Sequence, residues 1–209
     1  MPSSRSPNPA MMDDPALGAA LIEAAIADPA AFEPLYRQFA PSIYRFCYRR
    51  LGHPETAADA TSQTFIKAIP ALKSFHPHPE HPGRTFRAWL FRIASNVVID
   101  VRRTQRPHRS LDIPDDGYDL TRELIDPARP PEEIAIAAED SRAVWNALET
   151  LPDRQRQIVE LRLAGLTGDE IAEAMSTSLS AVKSAQFRAY ATLRQVLLPA
   201  ISDQTGPSS

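Results

Sequence analysis

The chain has 209 residues and a formal net charge of −3, enough for one large or two small domains. No apolar run reaches the roughly 20 residues that a membrane-spanning helix needs, and residues 1–10 lack the layout of a signal peptide, so we expect a cytoplasmic protein without membrane contact. The single cysteine, Cys47, excludes an intramolecular disulfide, and its helical spacing from Ile43 and Leu51 predicts a core position.

Charge is distributed unevenly along the chain. Residues 32–109 carry 13 basic and 5 acidic groups, whereas residues 110–150 carry 3 basic and 11 acidic groups. Residues 151–198 are nearly balanced, with 6 basic and 5 acidic groups. A basic block followed by an acidic block with a net charge of equal size and opposite sign favours different partners for different segments.

Helical periodicity begins after a lead rich in Pro and Ser, residues 1–16, which we expect to be disordered. Apolar residues recur at helical spacing from Leu17 and resume after Pro29. Pro41 is expected early in a new helix, where its missing N–H is harmless, and Gly52 is expected to end that helix.

The next predicted helix covers residues 55–72, with a kink or an early end at Pro70. A proline- and histidine-rich loop follows over residues 74–83, and then comes the most regular amphipathic stripe, from Phe86 to Val101. No acidic residue lies between Arg84 and Ile99, which favours a polyanionic partner. We expect the face opposite the stripe to carry Arg84, Arg87, Ser95, Arg102 and Arg103.

Periodicity is lost over residues 110–131, where prolines alternate with aspartates, and this composition predicts a flexible acidic linker. Residues 132–198 are helical again, and residues 199–209 are expected to be a disordered tail. The fold class is therefore predicted to be all-α, with small helical domains over residues 17–109 and 132–198.

The second domain is expected to contain a helix-turn-helix motif. Thr167 and Glu170 predict a capping box that begins its first helix, and residues 176–178 form the turn. A short helix, a tight turn and a longer helix with buried alanines is the layout in which the second helix enters the major groove. The exposed face of that helix is predicted to carry Ser180, Lys183, Ser184, Phe187 and Arg188.

These blocks together resemble the sigma factors of bacterial RNA polymerase, specifically the extracytoplasmic-function (ECF) group of the sigma-70 family. The resemblance covers most of residues 32–109 and 145–197. Its motifs, which occur in the family's order, are residues 32–37, 59–68, 86–96, 151–156 and 182–184. The resemblance implies sigma regions 2 and 4, no catalytic activity, no cofactor and no metal, with core RNA polymerase and promoter DNA as partners.

In that family, the helix matching residues 59–68 docks on the beta-prime clamp of the polymerase, and region 4 docks on the beta flap. The resemblance therefore implies clamp contacts through Asp59, Ser62, Gln63 and Ile66. Asp59, Gln63 and Ile66 also lie at i, i+4 and i+7, on one stripe of the helix. Ser62 and Gln63 stand where Gln and Glu are usual, which predicts weaker electrostatic docking.

The resemblance also assigns DNA contacts. The loop before residue 86 and the helix after it would recognise and open the minus-ten element, with unstacked bases held beside arginines. Of the minus-ten candidates, Trp89 also lies on the buried stripe, which favours a packing role for it. The implied minus-ten residues are Arg84, Arg87, Trp89, Arg92, Asn96, Asp100 and Arg103, and the implied minus-thirty-five residues are Ser180, Lys183, Ser184, Phe187 and Arg188.

Three further expectations come with the family. The acidic linker would thread the basic interior of the polymerase, and an anti-sigma factor would sequester the chain by covering its clamp-docking helix and its recognition helix. Ser176 stands where the turn often has Gly, and a positive backbone angle is less favourable for Ser than for Gly.

Two other functions remain open from the residues alone. A helix-turn-helix transcription regulator would bind duplex DNA without polymerase, but that reading leaves the basic face of residues 84–103 unexplained. A metal-dependent enzyme could use His76, His78 and His81. The neighbouring prolines are expected to hold that segment extended, so that the three imidazoles diverge.

Overall fold

A computed structural model of the chain describes residues 15–105, 144 and 146–204. The predicted linker over residues 110–131 lies outside the described residues, as do residues 1–14, 132–143 and 205–209. The helices are α1 (Pro15–Ala27), α2 (Glu33–Leu51), α3 (Pro54–Ala71), α4 (Pro82–Gln105), α5 (Asp153–Leu163), α6 (Gly168–Ala174) and α7 (Leu179–Gln204), with short 3-10 turns at Pro29–Phe32 and Leu72–Ser74. The described part of the chain contains no strand, which confirms the all-α class.

Helix α2 is continuous through Pro41, so the prediction of a new helix there was wrong. Phe39 and Ile43, on either side of the proline, are both buried in the same core, while Pro41 itself is exposed. Burial of that face outweighs the missing N–H of a helix-interior proline, a penalty of about 3 kcal/mol. At the end of α2, Gly52 has a φ of +79°, and its N–H donates to the carbonyl of Tyr48 at 2.9 Å, as predicted for a helix cap.

Contacts group the described residues into two compact units, residues 15–105 with 160–182, and residues 146–159 with 183–204. The division passes through α5 and α7, and α7 extends six residues beyond residue 198. The boundaries at residues 17–109 and 132–198 rest on composition and motif, and they stay predictions.

The core of the first unit is rich in aromatic residues. Phe46 on α2 meets Phe91 on α4 edge to face, with ring centroids 5.6 Å apart, and both side chains are fully buried. Helices α2, α3 and α4 pack against one another, and α4 also packs against α1 and α6. Cys47 lies in this core, as its spacing predicted.

The second unit has a small aliphatic core of its own. Leu148, Leu151, Val159 and Ala189 are buried together, and Leu193 packs against them. In the described part of the chain, no helix combines the length and apolar character that crossing a bilayer requires.

Candidate nucleic-acid and polymerase interface

The outward face of α3 carries the predicted polymerase-docking residues. Asp59, Ser62, Gln63 and Ile66 are all exposed, because the other side of the helix is buried through Ala60, Thr64, Phe65 and Ala68. Ile66 is 61% exposed although it is aliphatic. An exposed branched aliphatic residue among polar neighbours on a rigid helix suits a protein-protein contact.

Sequence reasoning missed one surface residue near this face. Tyr36 is one of the residues that follow Pro29 at helical spacing, which predicts burial, yet it is half-exposed, and its ring meets that of Phe65 at 4.7 Å. Helical spacing placed Tyr36 on the apolar side of α2, but spacing does not show how far α3 covers it.

The polar face of α4 is largely as predicted. Arg84, Arg92, Asn96 and Arg103 are exposed, and Asp100 forms an exposed ion pair with Lys67 at 3.4 Å. The placement of Ser95 on this face was wrong, because the residue is only 5% exposed. Its Oγ has no hydrogen-bond partner among the described residues.

An aromatic cluster supports the start of α4. The ring of Phe75 lies 4.8 Å from that of Trp89 and 5.7 Å from that of Phe86. Trp89 is 9% exposed and Phe86 is fully buried, so packing is the main role of both, as their positions on the apolar stripe indicated. The cluster fixes the loop before α4 to the helix that carries the arginines.

The helix-turn-helix motif forms from α6 and α7. The hydroxyl of Thr167 accepts from the amide of Glu170 at 3.3 Å, and the carboxylate of Glu170 accepts from the amide of Thr167 at 2.6 Å, which completes the predicted capping box. The two helix starts approach closely, since a Cβ on Gly168 would lie 2.9 Å from Cδ1 of Leu179.

The turn between these helices contains the positive backbone angle that was expected at Ser176, where the family often has Gly. Ser176 has a φ of +49°, the left-handed region that favours glycine. Two residues later, the hydroxyl of Ser178 accepts from the amide of Ala181 at 3.2 Å, which caps the start of α7.

The outward face of α7 is a polar stripe that also carries two exposed aromatic side chains, Phe187 and Tyr190. Val182, Ala185 and Ala189 are buried on the inner side of the helix. Phe187 is 77% exposed, so packing cannot explain its presence. All five residues predicted for this face are exposed: Ser180, Lys183, Ser184, Phe187 and Arg188.

Arg87 does not lie free on the face of α4. Its Nε donates to Oε1 of Glu170 at 2.9 Å, and its Nη2 lies 2.8 Å from the same oxygen. Glu170 is almost fully buried, and its other oxygen is the one used in the capping box. The sequence identified the cap but not this second partner, because motif spacing carries no information about contacts 83 residues apart.

A second ion pair in the same compact unit is fully buried. Nη1 of Arg50 donates to Oε2 of Glu160 at 3.2 Å, with side chains 4% and 0% exposed. Arg49 also donates to the backbone carbonyl of Glu160 at 3.4 Å. Burial lowers the pKa of Arg49, and the nearby Glu160 carboxylate opposes that shift. In the sequence, Glu160 lies between the apolar residues Ile158 and Leu161. This apolar context is the only sequence signal that could have indicated that Glu160 is buried.

The histidine loop is turned rather than extended, which corrects the expectation of diverging imidazoles. The amide of His81 donates to the carbonyl of His78 at 3.1 Å, and their rings stack with centroids 6.2 Å apart. The loop lines a cleft of about 700 Å³ whose other wall includes Asp169, Glu170 and Glu173. Desolvation raises the pKa of Glu173, and Arg92 opposes that shift. In the described part of the chain, no three His, Cys, Asp or Glu side chains are grouped to hold a metal ion.

An all-helical chain with a helix-turn-helix and a second, arginine-rich helical face has the features of a DNA-binding transcription protein. Two family models match it, Sigma-70 region 2 over residues 35–108 and Sigma-70 region 4 over residues 141–193.

The chain is also similar to curated proteins over most of its length. It is 34% identical over 194 residues to the ECF RNA polymerase sigma factor BldN of Streptomyces coelicolor, covering 90% of this chain and 69% of BldN. It is 32% identical to the ECF sigma factor ShbA of Streptomyces griseus, covering 85% and 93% of the two chains. A solved structure of CnrH with the cytosolic domain of CnrY matches at a TM-score of 0.57 and 26% identity, covering 90% of this chain and 97% of that one.

The chain therefore belongs to the sigma-70 family of RNA polymerase sigma factors, in its ECF group. As a sigma factor, it directs promoter recognition and transcription initiation together with RNA polymerase.

Proposed function

We propose that three exposed helical faces divide this activity between them. The face of α3 formed by Asp59, Ser62, Gln63 and Ile66 docks on the beta-prime clamp. The outer face of α4 recognises and opens the minus-ten element, through Arg84, Arg87, Arg92, Asn96, Asp100 and Arg103, with Trp89 supporting the loop before it. The outer face of α7 reads the minus-thirty-five element through Ser180, Lys183, Ser184, Phe187 and Arg188.

The observation that carries this assignment is the exposure of the recognition face of α7. Its five residues are all exposed on one side of a helix that follows a capped turn. Lysine and arginine suit phosphate or guanine, the serines suit either, and a phenylalanine suits a thymine methyl. This is the mix of side chains that direct reading of the major groove requires.

Other partners follow from the same family. We assign the beta flap to the segment around α7 and phosphodiester bond formation to the polymerase, so the chain itself carries no catalytic step. We further infer that the protein acts in the cytoplasm and that an anti-sigma factor covers the α3 and α7 faces. The complex of CnrH with the cytosolic domain of CnrY supports a protein partner of this kind.

Run-off transcription tests the function directly. Core polymerase with and without the chain is incubated with a promoter library, and transcripts are sequenced for their start sites. We expect defined starts only with the chain present, and we expect Lys183→Ala to reduce them about tenfold, because one phosphate or base contact contributes about 1–3 kcal/mol. Arg37→Ala, which removes an exposed basic residue of α2 outside the three proposed faces, is the control. Unselective starts with the wild-type chain would refute the assignment.

A further inference from the structure

One aliphatic side chain on the outer face of α4 is exposed, although the residues just before it are buried. Ile99 is 48% exposed, and among the described residues of α4 it is the one large apolar side chain that is exposed. Val97 and Val98 are buried, and the helix continues to Gln105, so Ile99 does not lie at a frayed helix end. Packing within the chain therefore does not account for an isoleucine at this position.

Ile99 lies within the stripe of residues proposed to contact the minus-ten element. The stripe runs at i, i+4, i+7 and i+11 along one side of the helix, and all of its members are exposed: Arg92, Asn96, Ile99 and Arg103. The two arginines at its ends are roughly 16 Å apart along the helix axis. Because both attract DNA phosphates, they hold the middle of the stripe against the nucleotides between those phosphates.

The polar residues beside Ile99 suit bases rather than phosphates. Asn96, one turn earlier, carries an amide that can hydrogen-bond to a base edge. Asp100 carries a carboxylate, which phosphate repels but which can accept a hydrogen bond from the amino group of cytosine. That carboxylate forms an ion pair with Lys67 of α3 at 3.4 Å. An aliphatic side chain between these two groups is therefore placed to meet a base.

The indole of Trp89 does not offer such an apolar surface. Its ring is only 9% exposed and lies 4.8 Å from that of Phe75, within the aromatic cluster that supports the start of α4. When a duplex opens, a base loses its stacking neighbour, and an inserted apolar side chain can replace that neighbour. Isoleucine is one of the side chains that proteins insert between base steps in this way. On the outer face of α4, Ile99 has the exposure that such insertion requires.

We propose that Ile99 is a wedge for promoter opening: its side chain enters the base stack at the edge of the minus-ten element and packs against the base that has lost its neighbour. The inference rests on the minus-ten role of α4 proposed above. Arg92 and Arg103 bind phosphates on either side, so the wedge enters at a fixed position. Contact with the base removes the half-exposed isoleucine from water, and this burial offsets part of the cost of unstacking. The wedge thus acts on the opening step rather than on binding to the closed duplex.

Transcription by the complete holoenzyme tests the wedge. Core polymerase and the full chain, at saturating concentration, are mixed with a promoter taken from the run-off library, and permanganate reactivity of the minus-ten thymines measures the rate of opening. The rate of run-off is then compared with that on a second promoter whose minus-ten strands are mismatched and therefore already open. We expect Ile99→Ala to slow opening and run-off on the paired promoter about tenfold, and to leave run-off on the mismatched promoter within about twofold of wild type.

Two further variants distinguish a wedge from a residue that only supports the fold. Ile99→Leu keeps the apolar volume and should open the paired promoter at the wild-type rate, whereas Ile99→Gln keeps the length without the apolar character and should be as slow as Ile99→Ala. Thermal melting of each variant should match wild type, because the side chain is half-exposed. Leu163→Ala is the matched control, since Leu163 is a 57% exposed aliphatic residue of α5 outside the three proposed faces, and it should change neither rate.

The wedge is refuted if Ile99→Ala or Ile99→Gln opens the paired promoter as fast as wild type. It is also refuted if Ile99→Ala loses the same factor on the paired and the mismatched promoter, because that result indicates an ordinary binding contact. Absence of run-off with the wild-type chain would instead refute the proposed function, on which the wedge depends. The two failures are distinguishable, since only the first occurs with a wild-type chain that opens the promoter.

Discussion

Cys47 is a thiol that the fold keeps protonated. Burial raises its pKa from 9.0 to about 12, and a hydrogen bond with Thr61 opposes that shift only partly. The unfolded thiol ionises near 9, whereas the folded one stays neutral until about 12. Its stabilising contribution is therefore fully present below pH 9 and is lost as the pH rises toward 12.

We predict that the free energy of unfolding falls with pH above 9 by about 1.4 kcal/mol per unit more in the wild type than in Cys47→Ala. Urea denaturation of both proteins between pH 8 and about 10.5 measures this, and the variant corrects for the other groups that titrate there. Parallel curves would contradict the prediction. Alkylation at neutral pH should likewise modify Cys47 only after unfolding.

Ser176 is a strained position that a single substitution can relieve. At a φ of +49°, a side chain is less favourable than none by roughly 1–2 kcal/mol, and the added flexibility of glycine in the unfolded chain offsets part of the gain. We predict that Ser176→Gly raises the free energy of unfolding by about 0.5–1 kcal/mol in chemical denaturation. Ser178→Ala, two residues away, should lower it by about 1 kcal/mol, since it removes the cap of α7. If Ser176→Gly lowered the free energy of unfolding as Ser178→Ala does, backbone strain at Ser176 would be ruled out.

For individual residues, the sequence predicted which side chains are exposed better than it predicted which residues they contact. The polar residues of α3 and α7 lie where helical spacing placed them. Ser95 and Arg87 are the exceptions, and both lie on α4, which packs against other helices on more than one side. Periodicity defines one buried face of a helix, but it cannot show that α6 covers part of the opposite face.

Among the helices, α2 shows that packing of the core can outweigh the local conformational preference of one residue. Pro41 predicts a helix boundary, yet one helix runs from Glu33 to Leu51 because its apolar residues on both sides of the proline enter the same core. The capping box of α6 and the glycine cap of α2 were predictable, because each depends only on residues within one turn.

The recognition helix gives an element-scale prediction. Phe187 is 77% exposed, so Phe187→Ala should change the free energy of unfolding by less than about 0.5 kcal/mol. Run-off from promoters with thymine in the minus-thirty-five element should nevertheless fall roughly tenfold, because the methyl contact is lost. Val196→Ala, a partly exposed apolar residue further along α7, is the control and should change neither quantity. A loss that is the same when the thymine is replaced by uracil would contradict a methyl contact.

For the whole molecule, helical periodicity predicted the all-α class, and motif order predicted the family. Neither predicted that residues 160–182 belong to a compact unit with residues 15–105. Within that unit, Arg50 meets Glu160 and Arg87 meets Glu170, pairs separated by 110 and 83 residues. Charge counts register such residues individually, but they do not identify pairs.

The charge distribution nevertheless makes a prediction about DNA binding by the intact chain. Residues 151–198 have 6 basic and 5 acidic groups, and this excess is too small to attract DNA phosphates strongly. The larger basic excess of residues 32–109 attracts the phosphates of any DNA sequence equally. We predict that the isolated chain binds promoter and scrambled duplexes alike, with a Kd of roughly 1–100 μM at physiological salt. Core polymerase should lower the Kd for the promoter at least about 100-fold and create a preference over the scrambled duplex, because both elements are then contacted together. Fluorescence anisotropy at several salt concentrations measures both states. Tight, promoter-selective binding without polymerase would favour a regulator that acts alone, since a recognition segment with 6 basic and 5 acidic groups cannot provide it.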